Sequence, residues 1–384
     1  MPNTSRCFLN LRPYDQNPIH IITMQSLNTK ASQCVLLLNK IKANDNRDIN
    51  MKAVCCMKAP EANKSNILID QILPDPIPAD GELLVEVKAV AVNPIDYKMR
   101  LRIALKGNEY KILGWDAAGI VKAVGKDVTS FKIGDEVWYA GNFATQGSNS
   151  ELQTLRAELV AKKPQSLSFE EAAALPLTAL TAWELLFDRL EIKKEKEASI
   201  LVVGAAGGVG SILVQLAKEL TSLTVIGTAS REESKLWLKQ LGVELIIDHS
   251  KPMLEQLQAL GVNEVDYVVG LNQSAQHASE IARCLKPQSK FGLIDDPKDF
   301  DLNLFKRKSI SIHWEMVFTR PVFNTPDLIR QQEILNKVAD LVENKKITST
   351  LNEYFGVINA ENLNKAHELL ISGKARGKIV LSGF

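Results

Sequence analysis

Residues 200–220 read ILVVGAAGGVGSILVQLAKEL, with four glycines set between an unbroken apolar run and a helical one. Ser199–Val203 has the continuous, β-rich apolar composition of a buried parallel strand. Between 211 and 220, Ile212, Leu213, Leu216, Ala217 and Leu220 fall on one helical face. Strand, glycine turn and helix in that order aim free N–H groups of a helix N-terminus past bare backbone, which is a receptor for a pyrophosphate. Gly207, Gly208 and Gly210, with Val209 between them, are the residues expected to bind it. No Lys precedes Ser211, so the turn is not the phosphate loop of a nucleoside triphosphatase.

Which dinucleotide is bound is decided at the end of the second strand. An acid about twenty residues further on would hold a ribose 2′-hydroxyl. Here TVIGTASREESK places Ser230 and Arg231 at that point, followed by Lys235. A hydroxyl, a guanidinium and an ammonium suit a 2′-phosphate, and hence NADPH rather than NADH. Glu232 and Glu233 count the other way, although acids also open a helix near its positive end without any cofactor.

These residues need a scaffold. The chain has 384 residues, 45% hydrophobic and 24% charged, which suits a soluble globular protein of two domains. A net charge of +1 gives no electrostatic case for nucleic acid or an anionic membrane, and no apolar run is long enough to span a bilayer. Cys7, Cys34, Cys55, Cys56 and Cys284 form no CxxC or regular framework and read as free thiols in a reducing, cytoplasmic setting. Residues 1–50 are basic, acid-poor and polar, and are expected to be a disordered tail or the product of a misplaced start. From Met51 to about 160, short strand signals broken by Gly and Pro predict a β-dominated unit. SFEEAAALPLTALTAWELLFDRL predicts helix, capped by Ser168 and interrupted at Pro176. Strand–helix alternation follows and predicts a doubly wound parallel sheet. The chain closes with two amphipathic helical stretches and the strand-like GKIVLSGF.

From Met51 to Phe384 the chain resembles the medium-chain dehydrogenase/reductase superfamily. The resemblance rests on VAVNPIDYKMR, LGWDAAGIVKAVG, FKIGDEVWYAG, AAALPLTALTAWELL and AAGGVGSILVQLAK, in the family's order. Within it, the chain is similar to the quinone oxidoreductase-like branch, often labelled zinc-type alcohol dehydrogenase-like. The fold class implied is α/β, with a doubly wound Rossmann sheet inserted in a GroES-like, β-rich catalytic domain. The implied boundaries are 51–176 for the catalytic domain, 177–318 for the Rossmann domain and 319–384 for a segment completing the catalytic domain. The resemblance further implies that Asn93 and Asp96 line the cleft near the nicotinamide, with Tyr97 or Lys98 as candidate proton donors. Thr178 and Thr181 correspond to nicotinamide-ribose contacts, or else bond back to their own helix carbonyls. His249 stands where relatives hold the adenosine end, and Trp314 either walls the substrate pocket or belongs to the core.

The zinc in the label can be tested on the ligands. Zinc alcohol dehydrogenases carry a Cys where this chain has Asn93 and GHE where it has Gly114-Trp115-Asp116. A catalytic zinc needs three Cys, His or acidic ligands, and Asp116 alone remains. Without a Lewis acid, hydride transfer suits acceptors that already carry electron demand, namely quinones and α,β-unsaturated carbonyls. The expectation is an NADPH-dependent reductase of such acceptors. The alternatives are a zinc-dependent alcohol dehydrogenase with atypical ligands and a non-enzymatic, crystallin-like or RNA-binding protein. A homodimer is expected through SISIHWEMVF, where Ile310, Ile312, Trp314 and Met316 alternate on an edge without Pro.

Overall fold

Among the described residues the first half of the chain builds a three-stranded sheet and most of a seven-stranded one, and the second half a six-stranded parallel sheet. The structure is a computed structural model that describes residues 50–59, 66–194 and 197–384. The expectation for the N-terminal extension lies outside the described residues, except that Asn50 already belongs to the first strand. Eight strands come first: β1 (Asn50–Met57), β2 (Ile67–Pro74), β3 (Glu82–Val92), β4 (Tyr110–Ile112), β5 (Ala117–Val124), β6 (Glu136–Tyr139), β7 (Leu152–Arg156) and β8 (Val160–Lys162). β3 alternates buried and half-buried positions as far as Lys88, then is buried at every residue from Ala89 to Val92. The switch marks where the sheet passes from one covered face to two.

The second sheet holds β9 (Ala198–Val203), β10 (Leu223–Thr228), β11 (Leu245–Ile247), β12 (Val265–Gly270), β13 (Leu285–Leu293) and β14 (Ser311–Trp314). Its order is β11-β10-β9-β12-β13-β14 with every pairing parallel. The direction of winding reverses between β9 and β12, and the crevice outside the strand ends at such a point is where ligands bind in open α/β sheets. β15 (Leu351–Tyr354) and β16 (Lys378–Ser382) then return to the first half. They complete a seven-stranded sheet in the order β15-β16-β3-β5-β6-β8, with β7 also on β3. The fold is α/β, with a Rossmann-like sheet inserted in a GroES-like, β-rich one, as expected.

The connector between the sheets obeys its local signals. Ser168 Oγ accepts from the Glu171 N–H at 3.1 Å and the Glu171 carboxylate accepts from the Ser168 N–H at 2.9 Å, a complete capping box. The helix Phe169–Ala173 stops short of Pro176, which opens the next helix, Pro176–Trp183, from its first turn. That helix runs on into a π-helical turn, Glu184–Arg189.

The π turn aims Glu184 and Asp188 at Arg320, whose guanidinium reaches Glu184 at 2.6 Å, Asp188 at 2.9 Å and Asp327 at 2.9 Å. Glu315 pairs with Arg189 at 2.7 Å. Burial, and then the nearby Glu315 carboxylate, raise the Glu184 carboxyl, and the Arg320 charge opposes the rise. Arg320 therefore fixes the segment after β14 against the Rossmann side by compensating buried acids. Replacing Arg320 with Met should leave those acids without their cation and cost about 3 kcal/mol or more. Thermal and urea denaturation of the variant check this, and an unchanged Tm would contradict it.

Candidate active site

One buried ion pair ties the strand ends of the seven-stranded sheet to the helix Pro176–Trp183. Lys378, the first residue of β16, and Asp116, just before β5, stand 2.9 Å apart with side chains 2% and 0% exposed. The Lys378 ammonium also donates to the Val92 carbonyl at 3.1 Å and to the Asn93 side-chain oxygen. Asn93 in turn donates from its amide nitrogen to Asp116 at 3.1 Å and to the Ala91 carbonyl at 3.3 Å. The other Asp116 oxygen accepts from the Leu177 N–H at 3.0 Å, in the first turn of helix Pro176–Trp183. A carboxylate at that end is favoured by the helix dipole. Burial raises the Asp116 pKa, while Lys378 and the Leu177 N–H oppose the rise. All three ammonium donors and both amide protons of Asn93 are thus engaged.

Asp96 serves the same corner. Its carboxylate accepts from the Asn93 N–H at 2.7 Å and so caps the helix Pro94–Arg102. Its second oxygen is buried and meets no hydrogen bond of good geometry among the described residues, although the Gly114 backbone N–H lies close enough to favour the carboxylate. Burial pushes the Asp96 carboxyl up to about 7. Tyr97 is half-buried, and its hydroxyl has no partner among the described residues. Lys98 pairs with Asp296 at 3.2 Å and Arg102 reaches the same carboxylate at 3.4 Å. Lys98, Arg102 and Asp296, with Asn272, Gln273 and Asp295, line a cleft of about 340 Å³ between that helix and the ends of the parallel strands. Behind Asn93, the Trp115 ring makes an edge contact with Phe318, which also meets Phe143 edge-on.

The glycine turn stands next to Lys378. Gly204 has φ +85°, a left-handed conformation that favours glycine. Gly207 is not a free donor as expected: its N–H bonds to the Gly204 carbonyl at 3.1 Å and closes the turn. The helix Gly208–Leu220 has no side-chain cap, and the N–H groups of Gly208, Val209 and Gly210 have no partner among the described residues. A Cβ on Gly208 would come within 3.0 Å of Lys378 Cδ and 3.4 Å of Thr178 Cγ2, and one on Gly210 within 2.4 Å of the Ala205 carbonyl. Gly208 keeps the cradle open, and Gly210 lets the helix pack on the turn. This turn fits a dinucleotide pyrophosphate.

Thr178 and Thr181 donate their hydroxyls to the Leu175 and Leu177 carbonyls at 3.1 and 2.8 Å, so in this structure each offers a ligand only an acceptor. His249 lies beyond the end of β11. Its Nδ1 is 3.1 Å from the Thr228 hydroxyl, which also accepts from the Gly204 N–H at 3.1 Å. The Thr228 hydroxyl can donate to Nδ1 or accept from it, according to the tautomer of His249. Ser230 is exposed and Arg231 opens the helix Glu232–Gln240. Lys235 is not a free cation as expected, since Glu232 pairs with it at 3.4 Å.

Comparison with known proteins agrees with this arrangement. The family of the alcohol dehydrogenase GroES-like domain matches residues 79–165 and the zinc-binding dehydrogenase family matches residues 241–381. A zinc-type alcohol dehydrogenase-like protein of Staphylococcus aureus is 36% identical over 312 residues, covering 80% of this chain and 92% of its own. The chain belongs to the medium-chain dehydrogenase/reductase superfamily, in its quinone oxidoreductase-like branch. Among solved structures, a Rhizobium etli CFN 42 protein named with the zinc-dependent alcohol dehydrogenases is 50% identical, with a TM-score of 0.83 over 87% of this chain and 98% of its own. The quinone oxidoreductase of Coxiella burnetii is 28% identical, with a TM-score of 0.70 over 87% of this chain and 100% of its own. The chain is an oxidoreductase of a family that binds a nicotinamide cofactor.

The residues present do not fit the metal that the family's name implies. An amide, an indole and one carboxylate stand at Asn93, Trp115 and Asp116, and an ammonium already bonds the first and last. Among the described residues no group of three His, Cys, Asp or Glu is placed to hold a metal ion.

The raised Asp96 pKa has a consequence for stability. An Asp raised from 3.8 to about 7 keeps in the folded state a proton that the unfolded chain has lost. Its contribution is complete below about pH 4 and falls as pH rises through 7. Asp96→Asn keeps an acceptor for the Asn93 N–H without the charge. The variant's Tm should therefore fall less than wild type's between pH 5 and pH 8. Parallel Tm–pH profiles would show that Asp96 is ionised throughout.

Proposed function

We propose that the protein is an NADPH-dependent reductase of quinones or α,β-unsaturated carbonyls that works without a catalytic metal. The Asn93–Lys378–Asp116 network carries the reading, because it puts an internally paired ammonium where a zinc enzyme needs ligands. A bound nicotinamide would supply the hydride. The chain's own part is to hold the dinucleotide on the first-turn N–H groups of the helix Gly208–Leu220 and to shape the acceptor site with Trp115, Phe143 and Phe318. Reduction of a conjugated acceptor also needs a proton. Lys98 lines the cleft beside the half-buried Tyr97, and the Lys98–Asp296 pair, with Asp296 59% exposed, is open enough to exchange with water. The name of the Coxiella burnetii relative supports a quinone as acceptor. Ser230 and Arg231 support NADPH over NADH, and the buried, unpaired thiols of Cys55, Cys56 and Cys284 support a reducing, cytoplasmic setting.

Enzyme stripped of metal by a chelator and assayed with NADPH should reduce quinones and enones at the untreated rate and leave simple alcohols unoxidised with NADP. Activity lost on chelation and restored by zinc would instead establish the atypical zinc enzyme.

We further propose a homodimer formed through β14. Among the described residues this strand is the sheet edge, pairing with β13 alone; its Trp314 is 52% exposed, and Met316 just beyond it 43%. Ile310 and Ile312 lean on the second hydrophobic core instead. Antiparallel pairing of two copies would satisfy the edge and cover the exposed residues. Light scattering should give twice the chain mass for wild type and a monomer for Trp314→Lys. A wild-type monomer at micromolar concentration, or a dimeric variant, would refute the β14 interface.

A further inference from the structure

The rim that would face a 2′ substituent contains cations that the first two parallel strands do not supply. Arg231 has no acid partner among the described residues. Its guanidinium donates at 3.0 Å to the carbonyl of Lys374, a residue 143 positions away on the loop that leads into β16. The other end of this loop is docked on the glycine turn, where the Gly377 N–H donates to the Ala206 carbonyl at 3.0 Å. Gly377 has φ +48°, and a Cβ there would stand 2.5 Å from the Thr350 carbonyl and 2.9 Å from Trp237 Cζ2 of the helix Glu232–Gln240. The loop is thereby held between the pyrophosphate turn and the helix that Arg231 opens.

It carries two more cations. Lys374 is exposed and Arg376 half-buried, and neither side chain has an ion pair or hydrogen bond among the described residues. The nearest acids along the chain are Glu232, already paired with Lys235, and the exposed Glu233. Arg231, Lys374 and Arg376 thus set three cations against the one exposed carboxylate of Glu233, a positive excess that favours a bound anion. Arg guanidinium and Lys ammonium groups beside a hydroxyl suit the oxygens of a phosphate monoester.

We propose that Lys374 and Arg376 join Ser230 and Arg231 as the receptor for the 2′-phosphate of the dinucleotide. The proposal rests on the NADPH reading above and adds that specificity is read by both halves of the chain. The loop belongs to the sheet of the catalytic half, so the 2′-phosphate is gripped across the cleft rather than by the Rossmann sheet alone.

Calorimetric titration of the full chain with 2′,5′-ADP and with 5′-AMP isolates this contact from catalysis. Wild type should bind 2′,5′-ADP more tightly, and Arg231→Ala should lose that preference. The double variant Lys374→Ala/Arg376→Ala should lose about tenfold or more in 2′,5′-ADP affinity, the scale of one charge-assisted hydrogen bond. Its 5′-AMP affinity should stay within about twofold, which also shows that the variant is folded. Its 2′,5′-ADP affinity should depend less steeply on salt than wild type's. A double variant that keeps wild-type 2′,5′-ADP affinity while Arg231→Ala loses it would overturn the role of the loop and leave the NADPH reading intact. A wild type with no preference for 2′,5′-ADP would overturn the NADPH reading itself.

Discussion

A lysine ammonium and an aspartate carboxylate, both removed from water, are tolerable only if each remaining donor and acceptor around them is met. Lys378 and Asp116 satisfy that condition through Val92, Asn93 and Leu177. The partners come from the end of β3, the start of β5, the start of β16 and the first turn of the helix Pro176–Trp183. Four elements are therefore held at one point by a charge that cannot be left unpaired. The glycine turn is positioned against the same lysine, with Gly208 so close that an added Cβ would press on the Lys378 side chain at 3.0 Å. The glycine turn and the junction of the parallel sheet with the seven-stranded one share a single electrostatic constraint.

The constraint also limits the chemistry. A metal ion at this corner would have to displace an ammonium from Asp116 and Asn93. Asn93, Asp116 and Lys378 are engaged with one another, and the hydroxyl protons of Thr178 and Thr181 are taken up by carbonyls of their own helix region. Acceptors whose own conjugation spreads the incoming charge demand least from such a site.

Much of this was legible in the sequence, and what was not has a common cause. The strand–glycine–helix pattern at 200–220, the Ser168 cap, the break at Pro176 and the alternation from 198 onward are local signals, and each gives the expected element. Asn93, Trp115 and Asp116 could be judged poor zinc ligands from their types alone. Lys378 could not be singled out, because its partners are about 260–290 positions away and its strand reads as an ordinary buried run. Arg320 with Glu184, and the loop carrying Lys374 and Arg376, were hidden in the same way by sequence separation. Gly207 and Lys235 differ from expectation for a local reason: a turn carbonyl and an acid three residues away reach their donors first. Spacing shows which groups are near a site. It does not show which of them are still free.

The central claim is that Lys378, and not a metal ion, stands between Asn93 and Asp116 in the working enzyme. It is tested most directly by a crystal structure of the cofactor complex, grown with zinc present and measured on both sides of the zinc absorption edge. The account predicts no anomalous density at that corner and the Lys378 nitrogen within hydrogen-bond reach of both side chains. An anomalous peak ligated by Asp116, with Lys378 turned away, would contradict it.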